Sequence, residues 1–201
     1  RVGMLSKATI GRLPEYLSFL RCLPANIQFI SATTVAKELA LGEVQVRKDF
    51  AMICGKGKPR TGYAVTDLST AMESALGIHA KSEAVIVGAG KLGKALLEFN
   101  GFAEYGITVR RAFDRDPDAL SDRILPVIAL PSYCSLHQIE IGIITVPSDA
   151  AQEAAELLVK SGVRAIWCFA VCRLDVPANV AVQYENMALS LAHLKNKVIH
   201  D

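Results

Sequence analysis

The 201-residue chain contains no apolar run approaching the ~20 residues of a membrane span. Its opening stretch, RVGMLSKATIGRLPEY, lacks the long apolar segment of a secretory leader, and a cytoplasmic protein away from membranes is expected. The five cysteines are odd in number and form no paired framework. Cys168 and Cys172 have three residues between them, which suits neither a zinc knuckle nor a redox CxxC, so buried, reduced thiols and no metal site are expected. Marks of a dehydrogenase are also missing. No Tyr is followed four positions later by Lys, and His79, His137, His193 and His200 fall in linker, loop or terminal helix rather than after a strand end.

Half of the residues (51%) are hydrophobic, enough for one or two folded cores. Charge is unevenly spread. Residues 1–77 hold ten Lys and Arg against six Asp and Glu, whereas residues 78–201 hold twelve against fourteen. A basic head on a mildly acidic body points to a polyanion that meets the head alone.

In the head, Ile10, Leu13, Leu17 and Leu20 recur at helical spacing, with Tyr16 and Phe19 broadening the stripe. Pro14 is expected to open that helix or to sit in its first turn. Ser31 reads as the cap of a second helix burying Val35, Ala36 and Leu39, and Gly42 as the turn before a third helix over 43–53. That outline is a helix-turn-helix. In the third helix Val46, Phe50 and Ile53 share an apolar face, which leaves Gln45, Arg47 and Lys48 outward to enter a major groove. The following CGKGKPRTGYAVT, with Lys56, Lys58 and Arg60, reads as a basic β-hairpin that would act as a wing, ending near Tyr63. Asp67 is expected to cap a last helix ending near Gly77.

The body opens with VGAGKLGKAL. Gly88, Gly90 and Gly93 follow an apolar strand (84–87) and precede a helix, with Leu92, Leu96 and Phe99 expected to turn inward. This fingerprint, with Ala89, Lys91 and Leu92 between and after the glycines, places a pyrophosphate at a helix N-terminus. A second strand, ITVRRAFD, ends in Asp114, 21 residues beyond Gly93. A carboxylate there receives the adenosine ribose hydroxyls and favours NAD(H) over NADP(H), with Arg115 pulling the other way. A strand within 139–147, ending in Thr145, Val146 and Pro147, leads to a capped helix over 148–161 and then to the strand VRAIWCFA with Phe169. The alternation predicts an α/β fold with a parallel sheet. With about 120 residues in the body there is little room for a substrate domain, so a protein that holds the cofactor without catalysis is expected. A small NAD-dependent oxidoreductase with a fused basic domain is the alternative.

The pieces RLPEYL, VQVRKDF, GYAV, VGAGKLGKAL, FDRDP, TVP, GVRAI and VPANVAV stand in the order found in the bacterial Rex family of redox-sensing transcriptional repressors, which the chain resembles along nearly its whole length. The resemblance implies a winged-helix domain over 1–77, a Rossmann NAD(H) domain over 78–185, and a C-terminal helix over 186–201 swapped between subunits of a homodimer. It further implies that NADH releases palindromic double-stranded operator DNA. Ser31, Gln45, Arg47, Lys48, Lys56, Lys58, Arg60 and Tyr63 would face DNA. Gly88 through Gly93, Asp114 and Arg115 would hold the adenosine and pyrophosphate, and Thr145, Val146, Pro147 and Phe169 the nicotinamide side. The chain departs from the family in having Phe99 for Tyr, Ala188 for Asp, Cys168 for Asn and Val171 for Pro.

Overall fold

A computed structural model describes residues 5–199 of the chain, which divides into two compact units between Ala80 and Lys81. His200 and the ends of the 1–77 and 186–201 segments lie outside the described residues.

Helix α1 (Lys7–Arg21) starts at Ser6, whose hydroxyl accepts from the Thr9 N–H at 3.1 Å. Pro14 therefore lies mid-helix, contrary to expectation, because the Ser6 cap starts the helix well before it. The lost N–H is tolerated by a helix clamped along Leu13, Tyr16, Leu17 and Leu20, all buried, while Ile10 is exposed. Strand β1 (Phe29–Ile30) leads to α2 (Ala32–Glu38), which Ser31 caps by accepting from Thr34 N–H at 3.0 Å. After the Gly42 turn comes α3 (Glu43–Cys54), burying Val46 and Phe50. The Phe50 ring meets Tyr16 and Tyr63 edge-on, with both centroid separations 5.4 Å, fastening α1, α3 and β2 (Tyr63–Ala64) together.

The expected two-stranded wing is cut down in the structure. Among the described residues, the stretch before β2 contributes one antiparallel bridge, Lys58 to Gly62, and β2 pairs with β1 instead. A Cβ on Gly62 would lie 2.3 Å from the Ile30 carbonyl oxygen, so that close approach, at φ +85°, takes the chain onto β1. Helix α4 (Val65–Ala75) starts from Ala64, so Asp67 is not its cap but lies in its first turn, where a carboxylate still meets the positive end of the helix.

The second unit runs β3 (Ser82–Val87), α5 (Lys91–Glu98), β4 (Ile107–Asp114), β5 (Ile124–Pro126), α6 (Leu130–His137), β6 (Ile141–Ile144), α7 (Ser148–Lys160), β7 (Ala165–Cys168), β8 (Ala181–Tyr184) and α8 (Met187–Ile199). Six parallel strands lie in the order β5-β4-β3-β6-β7-β8. Chain order reverses between β3 and β6, which opens a crevice at their carboxyl ends. Strand β3 is apolar on both faces: Ala84 and Ile86 pack in the cluster with Leu97 of α5, and Val85 and Val87 in the cluster with Leu130 of α6 and Leu158 of α7.

Three expectations fail here. Phe99 is not turned inward: α5 ends at Glu98, and the ring is 57% exposed, edge-on to Phe102 at 4.9 Å. Helix α7 has no side-chain cap, since its N-cap position is Pro147. The cysteines are free but not uniformly buried. Cys134 and Cys168 are buried, Cys54 and Cys172 half-buried, and Cys22 exposed. Among the described residues no His, Cys, Asp and Glu group could hold a metal, and no helix is long and apolar enough to cross a membrane.

Candidate functional site

A cavity of about 340 Å³ opens at the switch point, inside the roughly 300–1,000 Å³ range of small-molecule sites. It brings together Gly88, Gly90, Asp114, Arg115, Thr145, Val146 and Pro147 from the ends of β3, β4 and β6. The turn after β3 accepts no side chains at two positions. A Cβ on Gly93 would lie 1.9 Å from the Gly88 carbonyl oxygen, and one on Gly88, at φ +103°, would lie 2.8 Å from Val146. Gly90 has open space where its Cβ would be, so its backbone is bare to a ligand. Thr145 Oγ1 donates to the Gly88 carbonyl at 2.7 Å, locking β6 onto the turn. Lys91 and Leu92 form the first turn of α5, whose amides have no intrahelical partner and suit an anionic phosphate.

Of the other expected residues, Ala89 is buried with its N–H donated to Asp114, and it does not line the cavity. Phe169 packs against Trp167 at 4.4 Å, outside the cavity lining. Val127, Ala150, Glu153, Ala154 and Leu157 do line it and escape the sequence reading, because nothing in the fingerprint says which face of α7 or which loop will cover the crevice.

Burial pushes the Asp114 carboxyl up, but N–H donors from Asp116, Ala89 and Arg115, with the charge of Lys94, outweigh it and hold the group below its ordinary value. Asp114 is thus an anion at neutral pH with lone pairs left for a ribose diol. Arg115 pairs with Glu153 at 2.5 Å, an exposed contact that partly offsets its charge beside the cavity. Asp114→Ala is expected to weaken NADH binding about tenfold or more, the worth of a hydrogen bond to a charged group at ~1.5–3 kcal/mol. It should also narrow the preference for NADH over NADPH. Fluorescence titration of both nucleotides checks this, and an unchanged preference would remove Asp114 from the ribose.

In the first unit a groove of about 720 Å³ runs between α2, α3 and the turn before β2. Seven of the eight residues expected to meet DNA line it: Ser31, Arg47, Lys48, Lys56, Lys58, Arg60 and Tyr63. Five are cations and no lining residue is a carboxylate. Arg47 pairs with Glu43 one helical turn away, an exposed contact easily exchanged for phosphate. Gln45 is exposed, pointing outward as expected, but it lines a neighbouring hollow with Arg12 rather than this groove.

Behind the groove lies a polar group that sequence reasoning missed. Asp49, 3% exposed on the inner side of α3, accepts from Arg12 Nε and Nη2, both at 2.8 Å, from Tyr16 Oη at 2.9 Å and from Thr9 Oγ1 at 3.2 Å. Thr9, Arg12 and Tyr16 recur along one face of α1, which is the signal that could have found it. The cluster ties α3, which carries Arg47 and Lys48, to α1 through side chains of Thr9, Arg12 and Tyr16.

Residues 79–172 match the family model of a CoA-binding domain, and residues 4–51 that of a putative DNA-binding protein N-terminus. The chain is 41% identical over 192 residues to the redox-sensing transcriptional repressor Rex of Treponema denticola, covering 92% of this chain and 91% of that one. It is 34% identical to the Rex repressor of Porphyromonas gingivalis, covering 94% and 90%. Among solved structures it resembles RSP, a Rex-family repressor, at 28% identity and a TM-score of 0.87, covering 97% and 94%. RSP in complex with β-NAD⁺ and operator DNA also matches with a TM-score of 0.87. A nucleotide crevice and a cation-lined groove carried on one chain, matched nearly end to end by repressors of one kind, lead to one conclusion: the chain belongs to the Rex family of redox-sensing transcriptional repressors.

Proposed function

We propose that this chain is an NADH-responsive repressor that binds palindromic operator DNA as a homodimer and releases it when NADH fills the switch-point cavity. The observation that carries this reading is the joining of a five-cation groove to a dinucleotide crevice in one chain. The names of the relatives, repressors rather than dehydrogenases, favour it over a small NAD-dependent oxidoreductase. The basic turn at 56–62 serves as a reduced wing, its cations reaching phosphates beside the groove that α3 enters. Helix α8 exposes Met187, Leu191, Leu194 and Val198 along one face, with Leu189 exposed on the other, and this apolar surface supports a dimer sealed by exchanged C-terminal helices. The cytoplasm, where operator DNA and the NADH pool meet, is the compartment that suits this role.

The cavity fits the nucleotide through the close Gly88–Gly93 packing, the bare Gly90 backbone and the anionic Asp114. The nicotinamide ring supplies the signal: it is cationic when oxidised and neutral when reduced. Val146 and Pro147 bring no carboxylate to that ring, and Glu153, which also lines the cavity, pairs with Arg115, so desolvating the cation is unfavourable and NADH binds more tightly. Titrating NADH and NAD⁺ against a protein–palindrome complex tests head, body and coupling together. DNA release by NADH is expected, and steady NADH oxidation with carbonyl substrates at enzymatic rates would refute the repressor reading.

Phe99 and Ala188, both exposed, provide no hydrogen-bonding side chain for a contact between subunits. NAD⁺ is therefore expected to add little to DNA binding over the ligand-free protein. Phe99→Tyr combined with Ala188→Asp should increase the NAD⁺ effect in the same titration, whereas strong NAD⁺ enhancement in the unmodified protein would show the pair to be dispensable.

A further inference from the structure

Cys168 and Cys172 play no part in the sites above, yet the fold brings them together. Cys168 ends β7 fully buried, and Cys172 is half-buried in the bend that follows. Both turn to one carbonyl: the Cys168 thiol donates to Ala170 O at 3.7 Å, and the Cys172 N–H donates to the same oxygen at 2.9 Å. Cys172 also packs against the apolar cluster that contains Cys168. Burial pushes the Cys168 thiol up, the Ala170 carbonyl contact opposes this, and the nearby Cys172 sulfur adds to the rise, which again sets the two sulfurs side by side.

The bend between them is tied to the cofactor crevice. Phe169 N–H donates to Ile144 O at 2.9 Å, and Ser148 Oγ donates to Val171 O at 3.3 Å. Ser148 directly follows Thr145, Val146 and Pro147, three of the cavity-lining residues.

We propose that Cys168 and Cys172 form a peroxide-oxidisable dithiol whose disulfide reshapes the 169–172 bend and weakens NADH binding. The second half rests on the NAD(H) reading above; the first does not. Cys172 is the accessible partner. Its thiolate attacks one oxygen of hydrogen peroxide, the O–O bond breaks, and the departing hydroxide takes up a proton as water, leaving a sulfenic acid. The Cys168 sulfur then attacks the Cys172 sulfur and expels the sulfenic oxygen as a second water, carrying off the thiol proton. Two thiols are oxidised by two electrons to a disulfide, and one peroxide is reduced to two waters. Bonding takes the Cys168 sulfur off the Ala170 carbonyl and holds the two Cβ atoms about 3.8 Å apart, a constraint placed on the bend whose Val171 carbonyl accepts from Ser148.

Trypsin cuts after Arg164 and Arg173, so both cysteines fall in one peptide, 165–173. After hydrogen peroxide treatment of the full chain, this peptide is expected to be lighter by two hydrogens, to resist alkylation, and to recover with dithiothreitol. NADH affinity of the oxidised protein should be about fivefold weaker, the lower end of ordinary coupling between sites. In Cys172→Ser, a change at a half-buried position, the peptide should keep one alkylatable thiol and NADH affinity should ignore peroxide. Two alkylatable thiols after peroxide, or sulfinic acid without a linked peptide, would overturn the dithiol. A disulfide that leaves NADH affinity unchanged would overturn its coupling to the crevice. If the reduced protein binds no NADH, it is the function reading that falls, while the peptide mass still decides the disulfide.

Discussion

Asp49→Ala is expected to lower the stability of the first unit by about 3–5 kcal/mol, the cost of removing one partner from a buried ion pair. The carboxylate answers the Arg12 guanidinium, the Tyr16 hydroxyl and the Thr9 hydroxyl. Deleting it leaves a cation and two hydroxyls facing a space they cannot fill. Thermal unfolding of the full chain should show a transition of the first unit at much lower temperature, with DNA binding lost while NADH binding persists. A change under about 1 kcal/mol, the scale of a surface pair, would show the cluster to be well solvated.

The same cluster sets a pH window. Burial pushes the Asp49 carboxyl up, but hydrogen bonds from Arg12, Tyr16 and Thr9 prevail and hold it below its ordinary range. Its stabilisation is therefore complete above the unfolded-state value of about 4 and is lost as pH falls through the folded value. Tyr16 is raised to about 12, first by burial and then by Asp49, so its contribution is complete below about 10 and is lost as pH rises through that folded value. Denaturation midpoints measured across pH should fall on both flanks, and Asp49→Asn should flatten the acid one.

DNA affinity is expected to fall about 10³–10⁵-fold between 50 and 200 mM salt, as for neutralisation of roughly 6–10 phosphates. The groove of one chain holds five cations, Arg47, Lys48, Lys56, Lys58 and Arg60, and the proposed dimer would present twice that number. No lining carboxylate offsets them, so counterion release should dominate binding. Lys48→Ala removes one contact per subunit and should lower the slope of log affinity against log salt by about two, with NADH affinity unchanged. A flat salt dependence, or an unaltered slope in the variant, would place the DNA elsewhere.

Much of this was readable in one dimension because the governing physics is local. The stripes in α1 and α3 follow helical period, the Gly88–Gly93 spacing follows from a turn without room for a Cβ, and β4 was legible to its last residue, Asp114, by its apolar alternation and its distance from the glycines. Outward placement of Arg47 and Lys48 followed from the buried positions of Val46 and Phe50. Tertiary structure decided what depends on partners distant in sequence. It carried α1 through Pro14, paired β2 with β1 instead of a hairpin neighbour, and turned Phe99 to solvent where α5 ends. It drew Arg115 to Glu153, placed Glu153 and Leu157 of α7 over the crevice, and buried Asp49 against three groups of α1. A side chain's own period states which way it points, but whether it is paired, covered or strained there is set by what the rest of the chain brings within a few ångströms.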